Sequence, residues 1–151
     1  MLPGTLLRLQ PEKTVSTTDL KIISSVVPEE LRLNVLPRYL GRHYLTGESY
    51  VYDWAARLDR SYQGGLWHFF TLSNGGFYMA PADASRVHVR WHLNGYSDMM
   101  GADAFGIVVT LFALCHLAEK CGDDNVIEHY HELRAYATQH VEAANILRAI
   151  D

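Results

Sequence analysis

Cysteine is scarce here: two in 151 residues, Cys115 and Cys121. Six helical steps of ~1.5 Å would set their Cα atoms about 9 Å apart, beyond the ~7 Å reach of a disulfide. Neither belongs to a CxxC pair, so structural zinc has no support. No basic, apolar, small-residue leader opens the chain, so export is not expected and the cytoplasm is the expected compartment. An excess of basic charge is also missing. With 13 Lys and Arg against 17 Asp and Glu, and a pI near 6.0, the chain lacks the basic footprint of a DNA-binding domain. The acids are equally unable to copy DNA, which carries one charge per ~1.7 Å of axis. No glycine-rich phosphate cradle appears, because Gly64-Gly65 precedes a strand and Gly75-Gly76 falls in a hairpin turn. The zinc-protease pattern HExxH fails as well: in His129-Tyr130-His131-Glu132 the second ligand position is Ala135. No metal or other cofactor is expected.

What is present is organised around residues 94–120. From Ala104 to Cys115 there is no charge, and only Gly106 and Thr110 interrupt the apolar types. A helix that is apolar on every side must be enclosed by other elements. A bilayer span needs ~20 apolar residues; Met99 to Ala118 is long enough, but Asp103 and His116 fall inside it. A buried central helix is therefore expected, and no membrane.

Taken in order, residues 1–27 read as a loosely ordered N-terminal arm, and 28–151 as one domain. Pro28 suits a helix's first position, followed by Glu29 and Glu30, with Pro37 expected to stop the run. A second helix is expected from a Ser49 cap, with Val51, Trp54, Ala55, Leu58 and Tyr62 as its inner stripe and Gly64-Gly65 as its end. Residues 66–73 and 76–80 predict a hairpin across Asn74-Gly75, a pair suited to a primed two-residue turn. Residues 87–93 alternate as a third strand, with His88, Arg90 and His92 on one face. Two tail helices follow at about 123–139 and 142–150. The expected class is α+β: a three-stranded antiparallel meander packed with about five helices around the central one.

Two patterns invite a chemical reading. Gly95-Tyr96-Ser97-Asp98-Met99 nearly matches the GxSxG elbow of a serine hydrolase, which would make Ser97 a nucleophile. Met99 replaces the last glycine, and the chain shows no large parallel sheet. The favoured reading is that Ser97 or Asp98 caps the central helix. The second pattern is acidic. The last 33 residues hold seven acids against Lys120, Arg134 and Arg148, and Asp124, Glu128 and Glu132 recur at helical spacing. An ordinary solvated helix face explains that stripe most simply.

The segments 64–69 (GGLWHF), 72–79 (LSNGGFYM) and 94–98 (NGYSD), with the central helix and the ending 142–151 (EAANILRAID), occur together and in order. In this the chain resembles the plasmid-borne antirestriction family of the ArdB/KlcA type over about residues 28–151. Two positions depart from the family's pattern: Gly101, where a serine is expected, and Val141, where a proline is. The resemblance implies protection of incoming plasmid or phage DNA from host type I restriction-modification enzymes. It implies neither an enzyme nor a DNA mimic, and it brings no catalytic residues. The expected partner is the restriction complex or a host factor that regulates it, met through protein-protein contact and without direct nucleic-acid binding. The surfaces singled out are Asn94, Tyr96, Ser97 and Asp98 at a turn, and the stripe Asp124, Glu128 and Glu132.

Overall fold

The computed structural model describes residues 20–83 and 85–151. Most of the expected arm, residues 1–19, lies outside them. Its remainder holds strand β1 (Ser24–Val26), which the sequence did not announce. A 3-10 helix (Glu29–Asn34) leads into α1 (Val35–Leu40), a second short 3-10 turn (Gly41–His43) and α2 (Tyr44–Leu58). Then come β2 (Trp67–Leu72), β3 (Phe77–Pro81), β4 (Val87–Trp91) and β5 (Tyr96–Met100), and helices α3 (Ala102–Cys121), α4 (Asp124–Ala137) and α5 (Ala143–Ile150). All strand pairings are antiparallel, and the α+β class holds.

The central helix is α3, and α2, α4, α5 and β3 enclose it. Residues Ala104 to Leu111 are buried without a break, and Cys115 is the first to face out. Each fully buried Phe, Ile, Leu or Val on it contributes about 1.5–3 kcal/mol of transfer free energy. Gly106 and Thr110, the two interruptions of the apolar run, lie one helical turn apart against β3. The Thr110 hydroxyl meets both backbone groups of Met79, accepting from its N–H at 3.2 Å and donating to its carbonyl at 3.4 Å. Beside it, Gly106 lets the helix backbone touch β3 itself, because a Cβ there would lie 2.5 Å from the Cα of Ala80. The helix thus covers an edge strand that would otherwise offer unpaired amides.

The strands are grouped differently from the expected meander. The three-stranded sheet is β1-β2-β3, with the strand at 24–26 as its third member. Residues 87–91 instead pair with β5 in a separate hairpin, in the register Val87↔Met100, Val89↔Asp98, Trp91↔Tyr96. The cause is local. Gly95 turns at φ +74°, and the Asn94 side chain accepts the Tyr96 N–H at 3.0 Å, which reverses the chain before any helix begins. Residues 96–100 are therefore a strand, and neither Ser97 nor Asp98 caps the helix. Gly101 holds the cap position, and its N–H meets both oxygens of Glu142 at 3.2 Å. That carboxylate, from the start of α5, supplies the negative charge a helix N-terminus favours.

Three smaller expectations are also corrected. Pro37 does not stop a helix but stands third in α1, where an N–H would have no helical acceptor anyway. Helix α2 starts at Tyr44 and ends at Leu58, so neither Ser49 nor Gly64-Gly65 bounds it. The β2–β3 connection is not a primed turn: among the described residues none other than glycine has positive φ, and Gly75 sits at φ +101°. The Gly75 N–H reaches the Leu72 carbonyl and the Leu72 N–H reaches that of Gly76, the pattern of a three-residue turn closed by a left-handed glycine.

Candidate functional site

The residues singled out at the turn lie along the β4–β5 hairpin, but they do not form one patch. Asn94 ties the turn to α5, donating from Nδ2 to the Ala149 carbonyl at 2.8 Å. Tyr96 points inward and is only 6% exposed. The Arg148 guanidinium lies 5.2 Å from its ring centroid, and its hydroxyl finds no hydrogen-bond partner among the described residues. Burial pushes this phenol's pKa up, with nearby Asp98 adding to the effect and Arg148 opposing it. Asp98 stands exposed on the hairpin's inner register, 3.8 Å from Arg148. Ser97 faces the opposite way, onto the open side shared by His88, Arg90 and Met99.

Ser97 does meet a histidine: its Oγ is 2.9 Å from Nε2 of His88. The far nitrogen decides what that pair can do. A catalytic histidine needs a carboxylate there to orient it and stabilise the charge it takes up. Here the guanidinium of Arg90 stands 3.1 Å from Nδ1, with its Nε 3.4 Å from Nε2. Arginine can only donate and adds positive charge beside the ring, and among the described residues no carboxylate lies within ion-pair distance of His88. The serine thus has a hydrogen-bonding neighbour but no base whose positive charge would be stabilised once it took the proton. A fluorophosphonate probe is accordingly expected to leave Ser97 unlabelled in the folded protein, as read by intact mass. Stoichiometric label at Ser97 would restore the hydrolase reading.

The acidic stripe is also broken up. Asp124 and Glu128 are exposed on α4, but Glu132 is drawn beneath the β2–β3 turn. Its carboxylate meets Nδ1 of His129 at 2.7 Å, and its backbone carbonyl accepts from Asn74 Nδ2 at 2.9 Å. One helical turn supplies the His129–Glu132 pairing, so Glu132 works as a packing contact between α4 and the turn. Among the described residues no three His, Cys, Asp or Glu side chains converge on a metal-sized site.

Sequence reasoning missed the basic side of the hairpin. Arg57 and Arg60, at and just past the end of α2, face Arg90 on β4 across a small cavity. The only signal was the i, i+3 pair of arginines closing a helix, which is silent about what lies opposite.

The chain matches the family model described as antirestriction protein over residues 60–151. An antirestriction protein KlcA of Escherichia coli is 49% identical over 137 residues, spanning 86% of this chain and 94% of that one. A second Escherichia coli KlcA is 46% identical over 142 residues, or 91% of this chain and all of the other. Among solved structures, one from work on the KlcA and ArdB proteins superposes with a TM-score of 0.83 at 46% identity, covering 91% of this chain and 100% of that one. That work describes a novel fold, and antirestriction activity against type I DNA restriction systems in vivo but not in vitro. Agreement in sequence, in coverage and in fold leaves one assignment: the chain belongs to the antirestriction protein family of the ArdB/KlcA type.

Proposed function

We propose that this protein counteracts host type I restriction-modification enzymes in the bacterial cytoplasm, protecting incoming plasmid or phage DNA by binding a protein rather than by catalysis or DNA mimicry. The observation that carries this reading is the behaviour described for the KlcA and ArdB relatives, active in vivo but not in vitro. An inhibitor that blocked the restriction enzyme directly would act on the purified enzyme too. Activity confined to the cell calls for a further cellular component, which favours a host factor that regulates restriction over the enzyme complex itself. The surface chemistry agrees. Glu132 is tucked away and Arg148 lies beside Asp98, so the acids make no continuous phosphate-like track.

The test is plating of unmodified phage on cells with a type I system, with and without the gene. The expected result is clear recovery of plaques in cells that carry the gene. Equal plating would sink the reading. Adding the purified protein to a purified type I enzyme with unmodified DNA should leave cleavage unchanged, and inhibition there would point to the enzyme itself as the partner.

A further inference from the structure

We propose that the cavity between the end of α2 and the β4–β5 hairpin receives a carboxylate-bearing segment of the protein partner, an inference that rests on the reading of this protein as one that acts by protein contact. The cavity holds about 170 Å³, room for an acidic side chain but not for a folded element. Its rim carries Arg57, Arg60 and Arg90, three guanidiniums on a chain of net charge −4. Among the described residues none of the three has a carboxylate within ion-pair distance; Arg38, Arg42 and Arg86 also lack one, whereas Arg32, Arg134 and Arg148 each have one. The acid between the first two, Asp59, is committed elsewhere: its Oδ1 accepts from the backbone and hydroxyl of Ser61 at 3.0 and 2.8 Å.

Two of the arginines, Arg57 and Arg90, are also held in place. Arg57 lies 4.8 Å over the Trp54 ring, which in turn packs edge-on to Trp91 at 5.1 Å. Arg90 is braced by His88 at 3.1 Å. A guanidinium presents a planar fork that matches a carboxylate in two-point geometry, and one that is already oriented loses less freedom on binding. The surroundings favour a protein over a free ion or a nucleic acid. Leu93 at the hairpin tip is 72% exposed and Met99 on its open face is 41% exposed, apolar surface that a small anion would leave wet. Trp91 and Tyr96 join the arginines in the lining, and Trp, Tyr and Arg are the residues in which binding energy at protein interfaces concentrates. Nucleic-acid binding at cellular salt draws on roughly 6–10 phosphate contacts spread along a surface, far more than one pocket offers.

The experiment uses the full chain with nitrogen-labelled arginine and follows the side-chain Nε–H signals by NMR. The probes are a short glutamate- and leucine-rich peptide, the same peptide with glutamine for glutamate, inorganic phosphate, and a single-stranded oligonucleotide. Saturable shifts at Arg57, Arg60 and Arg90 are expected with the glutamate peptide, and at least about tenfold weaker binding with the glutamine peptide. No shift with the glutamate peptide, or tighter binding of phosphate or of the oligonucleotide, overturns the proposal. In cells, the double variant Arg57→Glu/Arg60→Glu changes two exposed positions and should keep the parent's thermal midpoint. It should lose most of the plating protection, and Arg57→Lys/Arg60→Lys should keep part of it. Full protection by the glutamate double variant also overturns the proposal. If the parent chain itself gives no protection, the antirestriction reading has failed, and the peptide titration still decides the pocket.

Discussion

Replacing Gly106 with alanine should destabilise the protein by about 3 kcal/mol, at the upper end of what one added methyl costs in a packed interior. In a chain of this size that lowers the thermal midpoint by roughly 6–12 °C. The reason is what the new methyl meets. Its neighbours are the carbonyl oxygen of Met79 and the Cα and Cβ of Ala80, so backbone and not the end of a flexible side chain. Strand β3 cannot retreat cheaply, because its other edge is laddered to β2 from Trp67↔Pro81 to Thr71↔Phe77. Helix α3 cannot retreat either, since α2, α4 and α5 press on its remaining sides. Chemical unfolding with a two-state fit measures the effect, and Thr110→Val on the same face is the comparison. That variant removes the bonds to Met79 without adding bulk, and should cost about 1–3 kcal/mol through the unpaired backbone groups it leaves. A Gly106→Ala loss under ~1 kcal/mol would mean that helix and strand are not in backbone contact.

The same residues show what could and could not be read from the chain. Burial of α3 was legible, because 12 uncharged residues in a row have no other use in a domain this size. Tail helices α4 and α5 were legible from period; the cap of α4, the Asp123 side chain accepting from the Asn125 N–H at 2.8 Å, was not singled out. The hairpin between β2 and β3 was legible from its glycines. What failed were features set by distant partners. Strand β1 exists because β2 offers a free edge, in the register Ser24↔Leu72 to Val26↔Phe70, and three residues carry too little pattern to announce that. The start of α3 is capped by Glu142, some forty residues away, so the local caps Ser97 and Asp98 looked necessary when they were not. That one substitution of cap also moved the candidate site. Once residues 96–100 form a strand, Ser97 faces His88 and Arg90 rather than a helix N-terminus. The basic pocket was illegible for the same reason, as Arg57 and Arg90 belong to elements that meet only in space.

Above pH 10 the protein should lose stability steeply, and Tyr78→Phe should remove the largest single part of that loss. The Tyr78 side chain is 1% exposed on β3. Its hydroxyl donates to Asp103 Oδ1 at 2.8 Å and lies 3.2 Å from Ser24 Oγ. Burial is the main cause that holds its pKa far above the ordinary 10.0, partly offset by the bond to Ser24 and reinforced by the charge of Asp103. The sign follows from proton counting. Below pH 10 the phenol is neutral in both states and contributes its full stability. Above it, the unfolded chain gives up the proton while the folded one keeps it, so unfolding gains up to about 1.4 kcal/mol per pH unit. Tyr52, Tyr96 and Tyr130 are raised by burial too and add in the same direction. At neutral pH Tyr78→Phe should itself cost about 1–3 kcal/mol, since Asp103 loses a donor. The urea midpoints of parent and variant should therefore start apart at pH 7 and converge toward pH 11. Parallel curves would mean that Tyr78 does not hold its proton in the folded state. The consequence reaches the candidate site, because the other oxygen of Asp103 takes Nε2 of His140 at 2.8 Å, just before α5. Helix α5 in turn holds the hairpin through Asn94 and Ala149. Tyr78→Phe, which takes the donor away from Asp103, should thus loosen the β4–β5 face along with the core.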